Sequence, residues 1–335
     1  MNEKGFRKFC LENQIAQKDS DTSIQLVKEF EEFLQKNDKE KEFVIATPND
    51  LRQFIDHLMA TNRNSYENFV GLLRYSFFVE KEDIKIALFE LLDGREVLVN
   101  LSKELKTKVG KQRSQQILER IILPPLGTRA LEKAKTTKQL MEKLEAEVDE
   151  ETCKEILVSG LHERSKESLL KARERFLQAK NIDDFLAQEF QAFIRRLEQH
   201  QKEGSLFYTQ EIDGQVINYV KNNPTIGYGV REGNVIYATK IPYLTKQFLT
   251  ETDEDMKRYY YCHCPWVREV LKKSQPKISP TFCYCSAGWY KQYWDVVLDQ
   301  PIKVEVVETI LKNDSQCKFA IHLPAEIVEG AEKEG

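Results

Sequence analysis

The sequence predicts an α+β protein: an all-helical N-terminal region followed by a C-terminal α+β domain with an antiparallel sheet. Three observations predict it. Apolar residues recur at spacings of three and four from about residue 20 to residue 197, the period of a one-sided helix. Beyond Gly204 that spacing gives way to short β-prone pieces separated by turn residues. The aromatic residues gather in this later part, with 15 of 34, including all three tryptophans, between Tyr228 and Phe319. A length of 335 residues suits about two domains at ~150 residues each.

The elements follow in order. Ile24, Val27, Phe30 and Leu34 form one face of a helix over 20–34. Thr47-Pro48-Asn49-Asp50 opens the next, with Thr as N-cap, Pro in the first turn and Asp at the positive end of the dipole. Its stripe is Leu51, Phe54, Ile55, Leu58 and Met59. Residues 66–79 are apolar on more than one face, which predicts a central helix. Helices over 83–92, 97–105 and 114–122 follow, and Pro124-Pro125-Leu126-Gly127 breaks the series. Further helical stripes lie at 140–148, at 153–157 before Gly160, at 169–177 and at 184–197. Then come β-prone 216–220 and a hairpin over 229–240 turning at Glu232-Gly233-Asn234. Helices over 245–258 and 287–298 precede two strands, 304–311 and 317–323. The expected organisation is a helical domain (1–125), a second helical part (126–203), a cysteine-rich α+β domain (204–325) and a disordered tail (326–335).

Lys and Arg number 50 against 54 Asp and Glu, a net charge of −4. This balance argues against nucleic acid as a partner, and the basic run from Lys103 to Arg120 reads as a solvated helix face. No apolar run reaches the ~20 residues of a membrane helix. The opening MNEKGFRKFCLENQ lacks the apolar core of a secretory signal. A cytoplasmic protein without membrane contact is expected, and its oligomeric state is left open.

Five of the seven cysteines fall within 262–317. In a reducing compartment such clustering points to metal or thiol chemistry. Cys262-His263-Cys264 and Cys283-Tyr284-Cys285 are two C-x-C pairs with 18 residues between them, an interval that suits ribbon-type zinc sites. The usual spacing is C-x2-C, but an extended C-x-C also puts both sulfurs on one face. The expectation is one zinc ion held by Cys262, Cys264, Cys283 and Cys285, with Cys317 and His263 as additional ligand or thiol. Four protein ligands would make the site structural; three would leave a position to polarise a substrate or a water. Thiol chemistry or burial as small apolar residues are the alternatives.

The aromatic surroundings suggest a pocket for a small-molecule ligand, with Tyr261, Trp266, Trp289 and Glu308 as lining. No phosphate-binding or dinucleotide glycine motif, H-E-x-x-H or G-x-S-x-G occurs. His57, His162, His200 and His322 stand isolated and read as surface or core residues. The expected function is a metal-binding, small-molecule-binding or sensory protein. A hydrolase using a metal or a cysteine thiolate is one alternative, and a helical DNA- or protein-binding scaffold another.

Val304–Leu311 followed by Asn313-Asp314-Ser315-Gln316-Cys317-Lys318-Phe319 resembles the closing hairpin of 4-vinyl reductase-type domains, which read V-x-V-x-E and then G-D-x-x-C-x-F. Asn313 stands in the glycine position, and both residues tolerate positive φ. Similar closing segments occur in proteins like L-2-amino-thiazoline-4-carboxylate hydrolase. Residues 226–325 as a whole resemble a bacterial and archaeal family carrying the same CHCPW and CYCSAGW blocks. The resemblance implies an α+β domain that binds a small hydrophobic or aromatic ligand, with cysteines holding a metal. It matches Cys317 to the hairpin cysteine and Glu308 to the strand glutamate, and carries over no catalytic residue. Helices 23–34, 47–58 and 65–78 resemble the core-binding domain of tyrosine recombinases, but the His-x-x-Arg of their catalytic half is missing.

Overall fold

The computed structural model describes residues 1–36, 38–272 and 275–332. It is an α+β protein in which residues 1–95 with 124–129 form one compact unit and residues 96–123 with 130–335 the other.

The first unit consists of α1 (Glu3–Glu12), α2 (Gln17–Gln35), α3 (Pro48–Ala60), α4 (Tyr66–Phe78) and α5 (Glu82–Leu92). Its core joins the predicted stripes: Ile24, Val27 and Phe30 meet Phe54, Leu58, Phe69 and Leu72. The expected opening of α3 is present as a reciprocal capping box. Thr47 accepts from the Asp50 amide, and Asp50 accepts from the Thr47 amide at 2.8 Å. The Pro-Pro-Leu-Gly break sends the chain back to this unit. Leu126 packs on its core, Arg52 Nη1 donates to the Gly127 carbonyl at 2.7 Å, and Asn64 Nδ2 donates to that of Leu126 at 2.7 Å. α1 was not foreseen; it is held by Phe6 and Cys10, which are buried among these helices.

The second unit contains α6 (Val97–Val109), α7 (Lys111–Leu118), α8 (Ala130–Glu147), α9 (Glu150–Val158), α10 (Lys166–Gln178), α11 (Ile182–Glu203) and α12 (Gly214–Lys221). After these come β1 (Val230–Glu232), β2 (Val235–Thr239), α13 (Thr245–Thr250), α14 (Glu254–Tyr261), α15 (Tyr284–Val297), β3 (Lys303–Glu308), β4 (Lys318–His322) and α16 (Ala325–Glu332). The strands form one antiparallel sheet in the order β1-β2-β4-β3, with Val230 opposite Tyr237 and Ile236 opposite Ile321. β1 and β3 are its edges, and a bulge interrupts the β3–β4 ladder between Val306 and Glu308. Trp294 and Val297 of α15 pack against Ile236, Phe319 and Ile321 of the sheet.

Within the second unit, one core draws on residues from both sides of positions 126 and 204. Leu101 and Leu105 of α6, Leu144 of α8 and Ile156 of α9 share one core with Cys262, Trp266, Phe282 and Ile310. The apolar faces of these helices are therefore covered by the cysteine-bearing segments, which ties both regions together.

Four local expectations change. Residues 216–220, read as β-prone, lie in α12. Asp213 accepts from the Gln215 and Val216 amides, and Val216, Ile217 and Val220 fall on one buried helical face. The helix foreseen over 245–258 is two, because Glu251 takes the Thr252 and Asp253 amides and Asp253 caps α14. β3 ends at Glu308, where a 3₁₀ turn over Ile310–Lys312 begins. The tail expected to be disordered forms α16 over Ala325–Glu332; its last residues, 333–335, lie outside the described residues. Among the described residues no helix is long and apolar enough to cross a membrane.

Candidate functional site

Three stretches of the second unit bring the cysteines together. α14 stops at Tyr261, and Cys262 beyond it takes extended backbone (φ −72°, ψ 125°). Alternate side chains then share a side, as expected for this pair. The chain turns immediately afterwards, the Arg268 amide donating to the Cys264 carbonyl at 2.9 Å. The second stretch is a 3₁₀ turn over Pro280–Cys283 that runs straight into α15, with Cys283 in helical backbone (φ −67°, ψ −12°). The third is the turn between β3 and β4. Its Asn313 adopts the left-handed conformation (φ 67°) expected of a glycine substitute, and it delivers Cys317 to the start of β4.

All five thiols line one cavity of about 20 Å³, with Lys240 and His263 also in its wall. A space of this size admits a single water or ion. It is more than tenfold smaller than the ~300 Å³ at which pockets for organic ligands begin.

The thiols divide four and one. Burial pushes Cys262 far above the ordinary thiol range, and the Cys264 and Cys317 sulfurs push it further. Burial does the same to Cys283, reinforced by Cys317 and then by Cys262 and Cys264. Negative charge on Cys264 and Cys317 would oppose ionisation of Cys262, and charge on Cys317, Cys262 and Cys264 that of Cys283. Cys285 is separate. Burial raises it to about 12, Lys240 opposes the rise and Glu96 adds to it. Cys317, expected as an additional ligand, lines the cavity with Cys262, Cys264, Cys283 and Cys285.

Donors to sulfur surround the group of four. Thr309 Oγ1 donates to Cys283 Sγ at 2.9 Å. The Cys264 amide donates to the Cys262 sulfur and the Ile310 amide to that of Cys317. Arg268 lies within electrostatic reach of Cys262, and Lys240 of Cys317. His263 turns elsewhere, its Nε2 donating to the Ile241 carbonyl at 2.6 Å, and burial lowers its pKa to about 3, so the ring is neutral. Among the described residues, no three His, Cys, Asp or Glu side chains stand as placed in an arrangement that could hold a metal ion. Convergence on one ion requires the thiols to rotate about their side-chain bonds.

The four residues expected to line a ligand pocket lie in different settings, with Tyr261 and Trp266 in one core. Tyr261 lines the small cavity, its hydroxyl donating to the Lys240 carbonyl at 2.8 Å. Trp266 is buried in the helical core. Trp289 is partly exposed, with the Arg164 guanidinium 4.3 Å from its ring. Glu308 ends β3 and accepts from Gln316 Nε2 at 3.0 Å.

A further constellation escaped the sequence reading. His162, in the loop after α9, places Nε2 at 3.4 Å from Cys285 Sγ and Nδ1 at 3.3 Å from Glu96 Oε1. Its partners lie 123 and 66 residues away along the chain, and no local motif marks them. Two glycines set the spacing. A Cβ on Gly288 of α15 would sit 3.0 Å from the Val158 carbonyl oxygen and 3.1 Å from the Gly160 nitrogen. Gly160 itself has φ +95°, a conformation that favours glycine. Gln292 Nε2 then ties the loop to α15 by donating to the His162 carbonyl at 2.9 Å.

The chain matches no known protein family, no curated protein and no solved structure.

Proposed function

We propose that the protein binds metal, holding one zinc ion in its second unit through Cys262, Cys264, Cys283 and Cys317. The observation that carries this reading is the gathering of thiols from three separate stretches around one cavity with room for one ion. Zinc favours four tetrahedral ligands, and thiolates supply both softness and charge. Four thiolates on a dication leave two excess negative charges, and Lys240 and Arg268 stand where they oppose them. The amide and hydroxyl donors to Cys262, Cys283 and Cys317 are the outer-shell contacts that orient thiolate ligands. Burial and mutual repulsion disfavour these thiolates in the bare protein; a bound cation reverses that balance.

Four protein ligands fill the coordination sphere, so the ion would act structurally, joining the end of α14, the entry to α15 and the β3–β4 turn. The cavity volume favours an ion over the organic ligand that the aromatic content suggested.

Elemental analysis of protein prepared without chelators tests the reading, with about one zinc per chain expected. Cys317→Ser is expected to lose the metal and Cys285→Ser to keep it. Metal-free protein from zinc-replete medium overturns the proposal, as does the reverse behaviour of the two variants.

A further inference from the structure

Among the described residues, no carboxylate pairs with Arg164. It stands in the loop between α9 and α10, immediately before Ser165, the N-cap of α10. Its guanidinium is half-buried and lies over the Trp289 ring at 4.3 Å, with the Tyr293 ring at 5.3 Å. The groups that act on it electrostatically are phenols, those of Tyr293, Tyr228, Tyr208 and Tyr290. Glu189, the carboxylate beside Tyr228 and Tyr293, is already engaged by two nitrogens of Arg175 and by the Tyr293 hydroxyl. Burial lowers the pKa of Arg164, as it does for any cation that loses water without gaining a counter-charge. A guanidinium keeps its proton even so, and the charge stands uncompensated.

The group is held in place. Nη1 donates to the Trp289 carbonyl at 2.8 Å while the guanidinium stacks on the ring of the same residue. Among the described residues, the edge that carries Nε and Nη2 makes no hydrogen bond. Two parallel donors on that edge match two oxygens of a carboxylate or a phosphate. The positive end of α10 lies next to it and favours the same sign of ligand. Aromatic rings border the position. Trp289 is partly exposed on α15. Tyr208 is exposed at the tip of a turn that Phe207 and Gln210 close by exchanging backbone hydrogen bonds at 2.9 and 3.2 Å, and its φ of 55° is one that side chains rarely adopt. Tyr228 sits between Gly227 and Gly229, both at positive φ, and its ring lies 5.4 Å from that of Tyr293. A Cβ on Gly229 would stand 2.6 Å from the Tyr237 carbonyl oxygen, so glycine is required to bring this loop close.

We propose that Arg164, with the Trp289 and Tyr208 rings beside it, binds a small aromatic oxyanion, a carboxylate or a phosphate carried on a flat ring. Nε and Nη2 of Arg164 donate to two oxygens of the anion, and the exposed rings cover the face of its body. The bound anion supplies the counter-charge that the chain itself does not place there. Because stacking and the Trp289 carbonyl already fix the guanidinium, little side-chain freedom is lost on binding. The site shares no residue with the proposed zinc site and does not depend on it.

The test is calorimetric titration of the full chain, at constant ionic strength, with benzoate, phenyl phosphate, acetate and inorganic phosphate. One site per chain is expected for an aromatic anion, with a dissociation constant on the order of 1 mM for a ligand of about ten heavy atoms. The ring-free partner, acetate or inorganic phosphate, is expected to bind about tenfold more weakly. The tighter of benzoate and phenyl phosphate identifies the anionic group the site prefers. Arg164→Gln is expected to weaken binding at least about tenfold. Arg164→Lys, which keeps the charge and lacks the fork, is expected to recover only part of that. Trp289→Ala is expected to abolish the preference for the ring, and Arg195→Gln, at an exposed position on α11, to change nothing. The urea midpoint separates binding from a packing role: with its uncompensated charge removed, Arg164→Gln is expected to unfold at or above the parent midpoint. No saturation by either aromatic anion up to about 10 mM overturns the proposal, as does an Arg164→Gln or Arg164→Lys variant that binds like the parent. Zinc content measured on the same samples keeps the two sites apart: normal anion binding by metal-free protein refutes the zinc reading alone.

Discussion

Replacing Gly288 by alanine sets two effects of similar size against each other. Alanine in a helix interior is favoured over glycine by about 1 kcal/mol, so on propensity alone α15 gains. At this position, however, the new Cβ would lie 3.0–3.2 Å from the Val158 carbonyl group and the Gly160 nitrogen. These are backbone atoms and cannot swing aside as the end of a side chain can. Relief requires α15 and the loop after α9 to separate by a few tenths of an ångström, and overpacking of this kind costs about 1–3 kcal/mol. The expected net effect is a loss of about 1 kcal/mol with a longer Cys285–His162 contact. All three tryptophans, Trp266, Trp289 and Trp294, lie in the second unit, so urea unfolding followed by their fluorescence reports this unit directly. Gly214→Ala is the control, since the nearest atom to its Cβ is a glutamine side-chain nitrogen at 3.9 Å; it is expected to be neutral or slightly stabilising. A Gly288→Ala variant with an urea midpoint at or above that of the parent, at unchanged slope, would refute this account of the contact.

Two further outcomes follow from buried or capped charges. Glu189 is buried and accepts from Arg175 Nε and Nη2 at 2.6 and 2.9 Å and from the Tyr293 hydroxyl at 3.1 Å. Arg175→Ala is expected to destabilise the second unit by about 2 kcal/mol, and Arg175→Lys to recover only part of that, because lysine cannot make the paired contact; equal urea midpoints for Arg175→Ala and the parent would contradict it. Asp50 is held below its ordinary pKa: burial raises it, but Lys41 and the Thr47 hydroxyl and amide outweigh burial. A lowered folded pKa contributes stability that is complete above the unfolded value near ~4 and lost as the pH falls through the folded value. Hydrogen exchange of the α3 amides is therefore expected to differ between the parent and Asp50→Asn at about pH 6, and the difference to shrink steadily as the pH falls below ~4. A difference that persists in acid sinks this assignment.

How far the sequence reaches depends on the range of the cause. The start of α3 was legible because Thr47, Pro48 and Asp50 act within one turn, and the β1–β2 hairpin because Gly233 and Asn234 sit between β-prone flanks. Residues 216–220 are β-prone by their β-branched content, whereas in the chain the Asp213 cap and the shared buried face decide. The cysteines divide by the same logic. Cys262 lies in extended backbone, to which the spacing argument applies; Cys283 and Cys285 straddle a helix start, to which it does not. Placing Cys317 with the first three, or His162 and Glu96 with Cys285, requires the tertiary packing of α6, α9 and α15, and no spacing along the chain encodes it.

The two free edges of the sheet carry a consequence for behaviour in concentrated solution. β1 offers three residues, and β3, with Lys303 and Glu305 along it, is kinked by the bulge before Glu308. Short, charged and distorted borders are poor templates for strand addition. Self-association of this chain by joining sheets edge to edge is thereby discouraged, and the hydrogen-bonding ladder ends within the single molecule.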